Sequence, residues 1–385
     1  MRLLPEGFIT HLVIAAIVLV SVSAAGGFFV MLSGIVPLKA SSGHWGITEA
    51  FLQFAKRRSI ATHSLMVKAP PLDDERLVRL GGGHYGFACE PCHGSPVVQQ
   101  PRIAAAMLPQ PPDLRKVMHI YDAEELFSIV YHGLKFTGMP AWPSLQRHDE
   151  VWPVVAFIQK LPGMDQDTYE RLSGRAQATD DLVPLEDLMG PQPQMRKAIT
   201  ENCARCHGVD GLGGSLGAFP VIAGQRAEYL ASSLEAYARG ERHSGIMEPI
   251  AARLARDDMR ALARYYAGLP RTGAHQGHEH GGAIEDGRRI AEHGVPERLI
   301  PACSECHGPG PQRNPHYPLL AGQHAPYIEG QLALFRRKAR GGTPYHEIMH
   351  KIAGQLTEEQ IRAVAAYYSS IDGHAASPVA SRHQR

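Results

Sequence analysis

Hydrophobic periodicity divides the chain into one long apolar run followed by three stretches of amphipathic helix. Residues 8–36 contain no Asp, Glu, Lys or Arg, a run longer than the roughly 20 residues a helix needs to cross hydrocarbon. A cleaved signal sequence is the competing reading, because the small residues at 21–25 resemble a processing site. The apolar run continues past them through Phe28, Phe29 and Leu32 to Val36. A signal core spans only about 7–15 residues, so the pattern favours an uncleaved anchor over residues 1–40. The next segment (41–72) places Ile47, Phe51, Phe54, Ile60 and Leu65 alongside Lys56, Arg57 and Arg58. That spacing predicts an amphipathic helix that either lies on an anionic lipid surface or packs on the first folded unit.

Beyond it, apolar residues three and four apart predict a core-facing helix near the end of each of three units. These are Val151, Trp152, Val155, Phe157 and Ile158 in residues 149–161, and Met259, Leu262, Ala263, Tyr265 and Tyr266 in 257–269. The third carries Ile361, Val364, Ala365, Tyr367 and Tyr368 behind Thr357-Glu358-Glu359-Gln360, a capping-box pattern. Shorter helical stretches at 73–82, 195–202 and 286–293 open the units. The units therefore fall at 73–164, 195–270 and 284–373, and the fold class expected is all-α. Acidic, proline-containing residues 165–194 read as a solvated linker. Residues 271–283, with His275, His278 and His280, read as a polar spacer rather than a metal site, and 374–385 as a disordered tail.

Units two and three repeat each other. Pro220-Val-Ile-Ala-Gly-Gln225 matches Pro318-Leu-Leu-Ala-Gly-Gln323, and Tyr229-Leu230 echoes Tyr327-Ile328. Such agreement indicates duplication of one fold.

The chemistry sits in the cysteines. All six fall in three Cys-x-x-Cys-His motifs: Cys89, Cys92 and His93; Cys203, Cys206 and His207; Cys303, Cys306 and His307. This spacing is that of covalent c-type haem attachment, with the thiols on the haem vinyl groups and the adjacent imidazole on iron. A thioredoxin-like dithiol would need a βαβ context, and a structural zinc site would pair two motifs at short spacing. Neither explains a histidine after every pair. Three haem c groups are expected, hence a location outside a bacterial cytoplasmic membrane. That placement overrides the charge count, in which Arg2 precedes the span and Lys39, Lys56, Arg57 and Arg58 follow it.

For the opposite face of each iron the candidates are Met139, Met247 and Met349, which occupy equivalent positions before the closing helices. Met349 is the only methionine after His307. Met259 lies inside a helix and reads as core filler, while Met107, Met118 and Met164 are the other methionines behind His93. His243, His346 and His350 are the rival ligands, and bis-histidine ligation would lower the potentials. A proximal imidazole needs an acceptor for its second nitrogen. The carbonyls of Pro220 and Pro318 suit it, with Pro111 or Pro112 in the first unit.

These residues resemble the class I cytochrome c domain. Residues 195–372 are similar to the periplasmic dihaem cytochromes c built from two such domains, on the Ala-Gly-Gln stretches and the Tyr-Tyr helices. The first unit, with Thr137-Gly138-Met139-Pro140-Ala141-Trp142, is similar to single domains attached to respiratory oxidase or dehydrogenase subunits. One departure is Gly308-Pro309-Gly310-Pro311 where unit two has Gly208-Val209-Asp210-Gly211, so the loop beside the third haem should differ in conformation.

The resemblance implies periplasmic electron transfer among respiratory complexes. The donor would be a quinol-cytochrome c reductase or a dehydrogenase, and the acceptor a terminal oxidase or reductase. The residues themselves agree, since saturated axial ligation leaves no open iron position and no catalytic constellation appears. The alternatives are a haem subunit of a periplasmic dehydrogenase complex and a multihaem peroxidase, which needs a vacant sixth position. A net charge of +1 gives no sign of a nucleic-acid partner, so none is expected, and it singles out no docking partner.

Overall fold

The computed structural model describes residues 6–36, 39–117, 120–175, 199–214, 216–271, 281–310 and 313–373. Most of the expected 165–194 linker, the histidines at 275, 278 and 280, Met118 and the 374–385 tail lie outside those residues. Among the described residues the regular structure is helical, with one isolated antiparallel bridge between Val295 and Ile300.

Helix α1 (Glu6–Ser33) is the apolar run; it is long and apolar enough to cross a membrane, and its most apolar stretch is not buried within the protein. Helix α2 (Gly46–Ser64) comes next. Its last turns bury Ile60 and Ser64, and it packs on the helix Ala123–His132, while Ile47, Phe51 and Phe54 stay 81%, 67% and 65% exposed. The packing reading thus holds for the C-terminal end of this helix, and the N-terminal half presents an uncovered apolar face.

Unit one is built from α3 (Glu75–His84), α4 (Ala123–His132), α5 (Val151–Lys160) and α6 (Gln166–Ser173). The Asp74 carboxylate caps α3 by accepting from Arg76 N. A full capping box, Asp122 with Glu125, starts α4. The apolar positions of α5 bury Val151, Val154, Val155, Phe157 and Ile158 as the pattern predicts. Helix α3 can cross α5 closely only because Gly81 has no side chain, since a Cβ there would lie 1.9 Å from Pro153 O. Unit three repeats the device, where a Cβ at Gly287 would lie 1.9 Å from Ala363 O.

Helix α6 corrects the linker reading. The segment expected to be open from residue 165 starts as a helix capped by Asp165 and packed on α3. Tyr169 is fully buried there and donates to Glu90 Oε1 at 2.8 Å, and Arg175 pairs with the other Glu90 oxygen. One aromatic residue in an acidic stretch shows no period, so the sequence pattern could not reveal it.

Unit two contains α7 (Ala227–Ala238), α8 (Met247–Ala251) and α9 (Arg256–Gly268). Unit three contains α10 (Gly281–His293), α11 (Ala325–Arg336), α12 (His346–Gln355) and α13 (Glu358–Ser370). The Thr357–Gln360 capping box is present with both bonds. Three separate apolar clusters form the cores, one beside each Cys-x-x-Cys-His motif, with Cys89, Cys303 and Cys203 packed against them.

Candidate haem sites

Each motif ends a short helical turn: Glu90–His93, Ala204–His207 and Ser304–His307. No cysteine is in a disulfide, so every pair of thiols is available for addition to a vinyl group. The three imidazoles are held alike. Nδ1 of His93 donates to Pro112 O at 2.8 Å, that of His207 to Pro220 O at 3.1 Å, and that of His307 to Pro318 O at 2.8 Å. This fixes the tautomer and leaves Nε2 unprotonated, the state in which an imidazole can ligate a metal. Of the two prolines open in the first unit, Pro112 is the acceptor. Pro111 O instead takes a bond from Gln100 Nε2.

The third site brings its four expected donors to one place. Cys303, Cys306, His307 and Met349 line a single cavity of about 150 Å³. The rival imidazoles are otherwise engaged: Nδ1 and Nε2 of His346 face Thr343 O at 2.8 Å and Glu347 at 3.3 Å, and His350 Nε2 donates to Arg340 O at 2.7 Å. In unit two Met259 is buried in the core, as its place inside α9 predicts, whereas Met247 is the first residue of α8. His243 faces Glu248 at 3.5 Å. In unit one Met164 packs on the core, but Met107 comes close to the ligand loop. A Cβ at Gly138 would lie 2.1 Å from Met107 Cε, so two thioethers, those of Met107 and Met139, belong to this side. The glycine after the motif differs as expected: Gly208 has φ +77° and Gly308 has φ −72°.

Two features show that the residues fit a haem with its two carboxylates. Arg242 and Arg340 are buried at the boundary of units two and three. Their bonds run to Ser233, Tyr327, Gln331 and Tyr229, with no carboxylate partner among the described residues. Burial raises the Tyr229 hydroxyl's pKa, but the Arg340 and Arg242 guanidiniums outweigh it and hold the group below its ordinary value. Arg340 and Tyr229 both line the third cavity. A buried cationic pair without an anion suits a carboxylate.

The same boundary explains the Ala-Gly-Gln repeat, whose role the sequence pattern left unassigned. Gly224 and Gly322 adopt φ +61° and +71°, a conformation glycine enters without penalty, and their N–H groups donate to Tyr266 O and Tyr368 O, both at 2.9 Å. The glutamines then reach across. Gln225 Nε2 donates to Leu319 O at 3.0 Å and its Oε1 accepts from Leu319 N at 2.8 Å. Reciprocally, Gln323 Nε2 donates to Val221 O and its Oε1 accepts from Val221 N, each at 2.9 Å. Val221 and Leu319 directly follow the prolines that orient His207 and His307, so each unit steadies the other's proximal loop. Buried Arg271, inside the segment expected to be a spacer, donates to Ala321 O at 2.7 Å and Ala223 O at 2.9 Å. A lone polar residue repeated inside an apolar loop was the available signal for the glutamines; Arg271 gave none.

Unit one meets unit two at the second motif. A Cβ at Gly83 would lie 3.3 Å from Cys206 Sγ, and Arg79 NH2 donates to Arg205 O at 3.1 Å.

Known proteins are similar in sequence to parts of this chain. The sequence model described as Cytochrome c matches residues 196–269 and 284–372, and that described as Cytochrome C oxidase, cbb3-type, subunit III matches residues 76–158. A protein of Thiomonas intermedia named thiosulfate dehydrogenase electron acceptor is 36% identical over 170 residues, 44% of this chain and 78% of its own. Cytochrome c4 of Thiocapsa roseopersicina is 33% identical over 172 residues, 44% of this chain and 86% of its own. A solved Acidithiobacillus ferrooxidans cytochrome c4 is 35% identical, covering 45% of this chain and 99% of that chain, with a TM-score of 0.40.

Proposed function

Because the chain belongs to the cytochrome c family, we propose that it is a membrane-tethered, periplasmic trihaem carrier of single electrons and not an enzyme. Haem c, when bound, supplies a one-electron iron couple. The chain's own residues do the rest: Cys89 and Cys92, Cys203 and Cys206, and Cys303 and Cys306 attach the groups. His93, His207 and His307 would ligate the irons, with Met139, Met247 and Met349 as the second protein ligands. Thioether ligation raises the potential and suits electron transfer.

The observation that carries this reading is the series of contacts. Unit one touches the second motif at Gly83 and Cys206, and unit two shares the Gln225 and Gln323 exchange with unit three. Unit three also meets unit one directly, with Arg337 4.0 Å from Asp149, so each unit is in contact with the other two. The reading assigns a quinol-oxidising complex or a dehydrogenase as donor and a terminal oxidase or reductase as acceptor, with α1 as the single span. The test is stepwise. Intact mass spectrometry should show three haem additions, and membranes oxidising quinol should then reduce all three in rapid-mixing spectra. Reduction by no membrane donor would remove the respiratory assignment.

A second reading is favoured by the likeness to a protein named as an electron acceptor of thiosulfate dehydrogenase. In it the chain is the haem subunit of a periplasmic dehydrogenase. Copurification with a catalytic partner, and reduction only in that partner's presence, would select it.

A further inference from the structure

Residues 244–246, immediately before Met247, dock on unit one, while Ser244 N also donates to Glu248 Oε1 of their own unit at 2.8 Å. Glu150, 7% exposed, accepts at Oε1 from the Ser244 hydroxyl at 2.8 Å and at Oε2 from Gly245 N at 2.6 Å. The Ser244 oxygen in turn accepts from Met247 N at 3.1 Å. A two-bond chain thus runs from a unit-one carboxylate to the backbone of the methionine. Arg147 balances the buried charge at 2.9 Å from Glu150 and donates to His243 O at 2.9 Å. Ile246 packs on unit one's apolar cluster. At Gly245 a Cβ would lie 2.1 Å from Nε1 of Trp142, three residues beyond Met139. The loops of two proposed ligands therefore meet at this contact.

The repeat supplies an internal control. The positions equivalent to Ser244, Gly245 and Ile246 are His346, Glu347 and Ile348. Ile348 is 44% exposed, and among the described residues no other unit hydrogen-bonds to these three. Small and hydroxyl-bearing residues appear only in the copy that unit one covers.

We propose that unit one positions the ligand loop of the second site, with Glu150 and Trp142 holding Ser244–Gly245–Ile246 so that methionine ligation there depends on the docked first unit. This rests on the reading of Met247 as an axial ligand. Glu150 and Trp142 act as positioning residues and touch neither iron nor haem in this account.

The test uses the full haem-loaded chain and exogenous imidazole, which competes with a methionine for ferric iron. Glu150→Ala should make one haem of three bind imidazole about tenfold more tightly, equivalent to about 1.4 kcal/mol, and lower that haem's potential. Gly245→Ala, which pushes the loop off Trp142 without touching Glu150, should affect the same haem, and Glu150→Gln should restore part of the loss. In a Met247→Ala background Glu150→Ala should add nothing. If Met247→Ala changes no haem, the ligand reading fails. If Met247→Ala opens one haem while both loop variants leave imidazole affinity within about twofold, the ligand stands and the positioning proposal is overturned. An equal rise at all three haems would also overturn it, since that reports general loosening.

Discussion

Replacing Gln323 by Ala is the perturbation whose cost the structure defines best. The side chain makes two bonds to Val221, an acceptance from its N–H and a donation to its carbonyl, both 2.9 Å. Val221 is only 2% exposed, so bulk water cannot replace the lost partner. Each buried backbone group left unpaired costs about 1–3 kcal/mol, giving about 2–6 kcal/mol for the pair. Water entering the space left by the amide recovers part of this, and about 2–4 kcal/mol is the expected loss. At roughly 2–4 °C per kcal/mol for a folding unit of 150–250 residues, the midpoint should fall by about 5–15 °C. The assay is thermal denaturation of the haem-loaded protein, followed in parallel by far-ultraviolet circular dichroism and haem absorbance. Gln225→Ala should cost a similar amount through Leu319, and the double variant should cost less than the sum, because both act across one boundary. Exposed Gln355→Ala is the control, expected within about 0.5 kcal/mol. A fall of under about 2 °C for Gln323→Ala would refute the claim that these amides hold units two and three together.

The geometry yields three further expected outcomes. Gly287→Ala places a Cβ 1.9 Å from Ala363 O and should cost about 3 kcal/mol, with Gly81→Ala comparable in unit one; haem stoichiometry and thermal midpoint measure both. At Asp74 burial raises the carboxyl's pKa, but the bonds from Arg76 win and hold it below its ordinary value. The unfolded chain then binds protons first, so this contribution is complete above about pH 3.9 and is lost as pH falls through the folded value. Asp74→Asn should flatten the acid limb of the stability profile. Replacing residues 1–38 by a cleavable secretion signal should release a soluble protein with all three haems, measured by membrane fractionation. A truncated chain that still sediments with membranes would move the attachment to the exposed apolar half of α2.

The attachment sites were legible because covalent haem binding uses contiguous residues, and contiguity survives in a sequence. The proximal acceptors were legible for a related reason, as Pro220 and Pro318 recur at like spacing behind His207 and His307. The closing helices showed themselves through period, and the Thr357 capping box through its four-residue pattern. What stayed hidden depends on units meeting in space. Glu150 and Arg340 stand among neighbouring charges that give no reason to single them out, Arg271 stands beside a proline in a polar stretch, and only the docked arrangement shows what each faces. Tyr169 was hidden for the same reason, one buried ring in a segment whose composition reads as solvated. Gln225 and Gln323 stood between these cases, visible as a repeat and silent about the partner across the boundary.

The central claim is that three haems, each held between a histidine and a methionine, form a carrier chain with no open iron. A redox titration with each haem spectrally resolved, repeated in Met139→Ala, Met247→Ala and Met349→Ala, tests it most directly. The parent protein should show three one-electron steps, none altered by carbon monoxide. Each substitution should lower the potential of one different haem and open it to carbon monoxide. A parent protein in which one ferrous haem binds carbon monoxide readily, or a substitution that moves no haem, would contradict it.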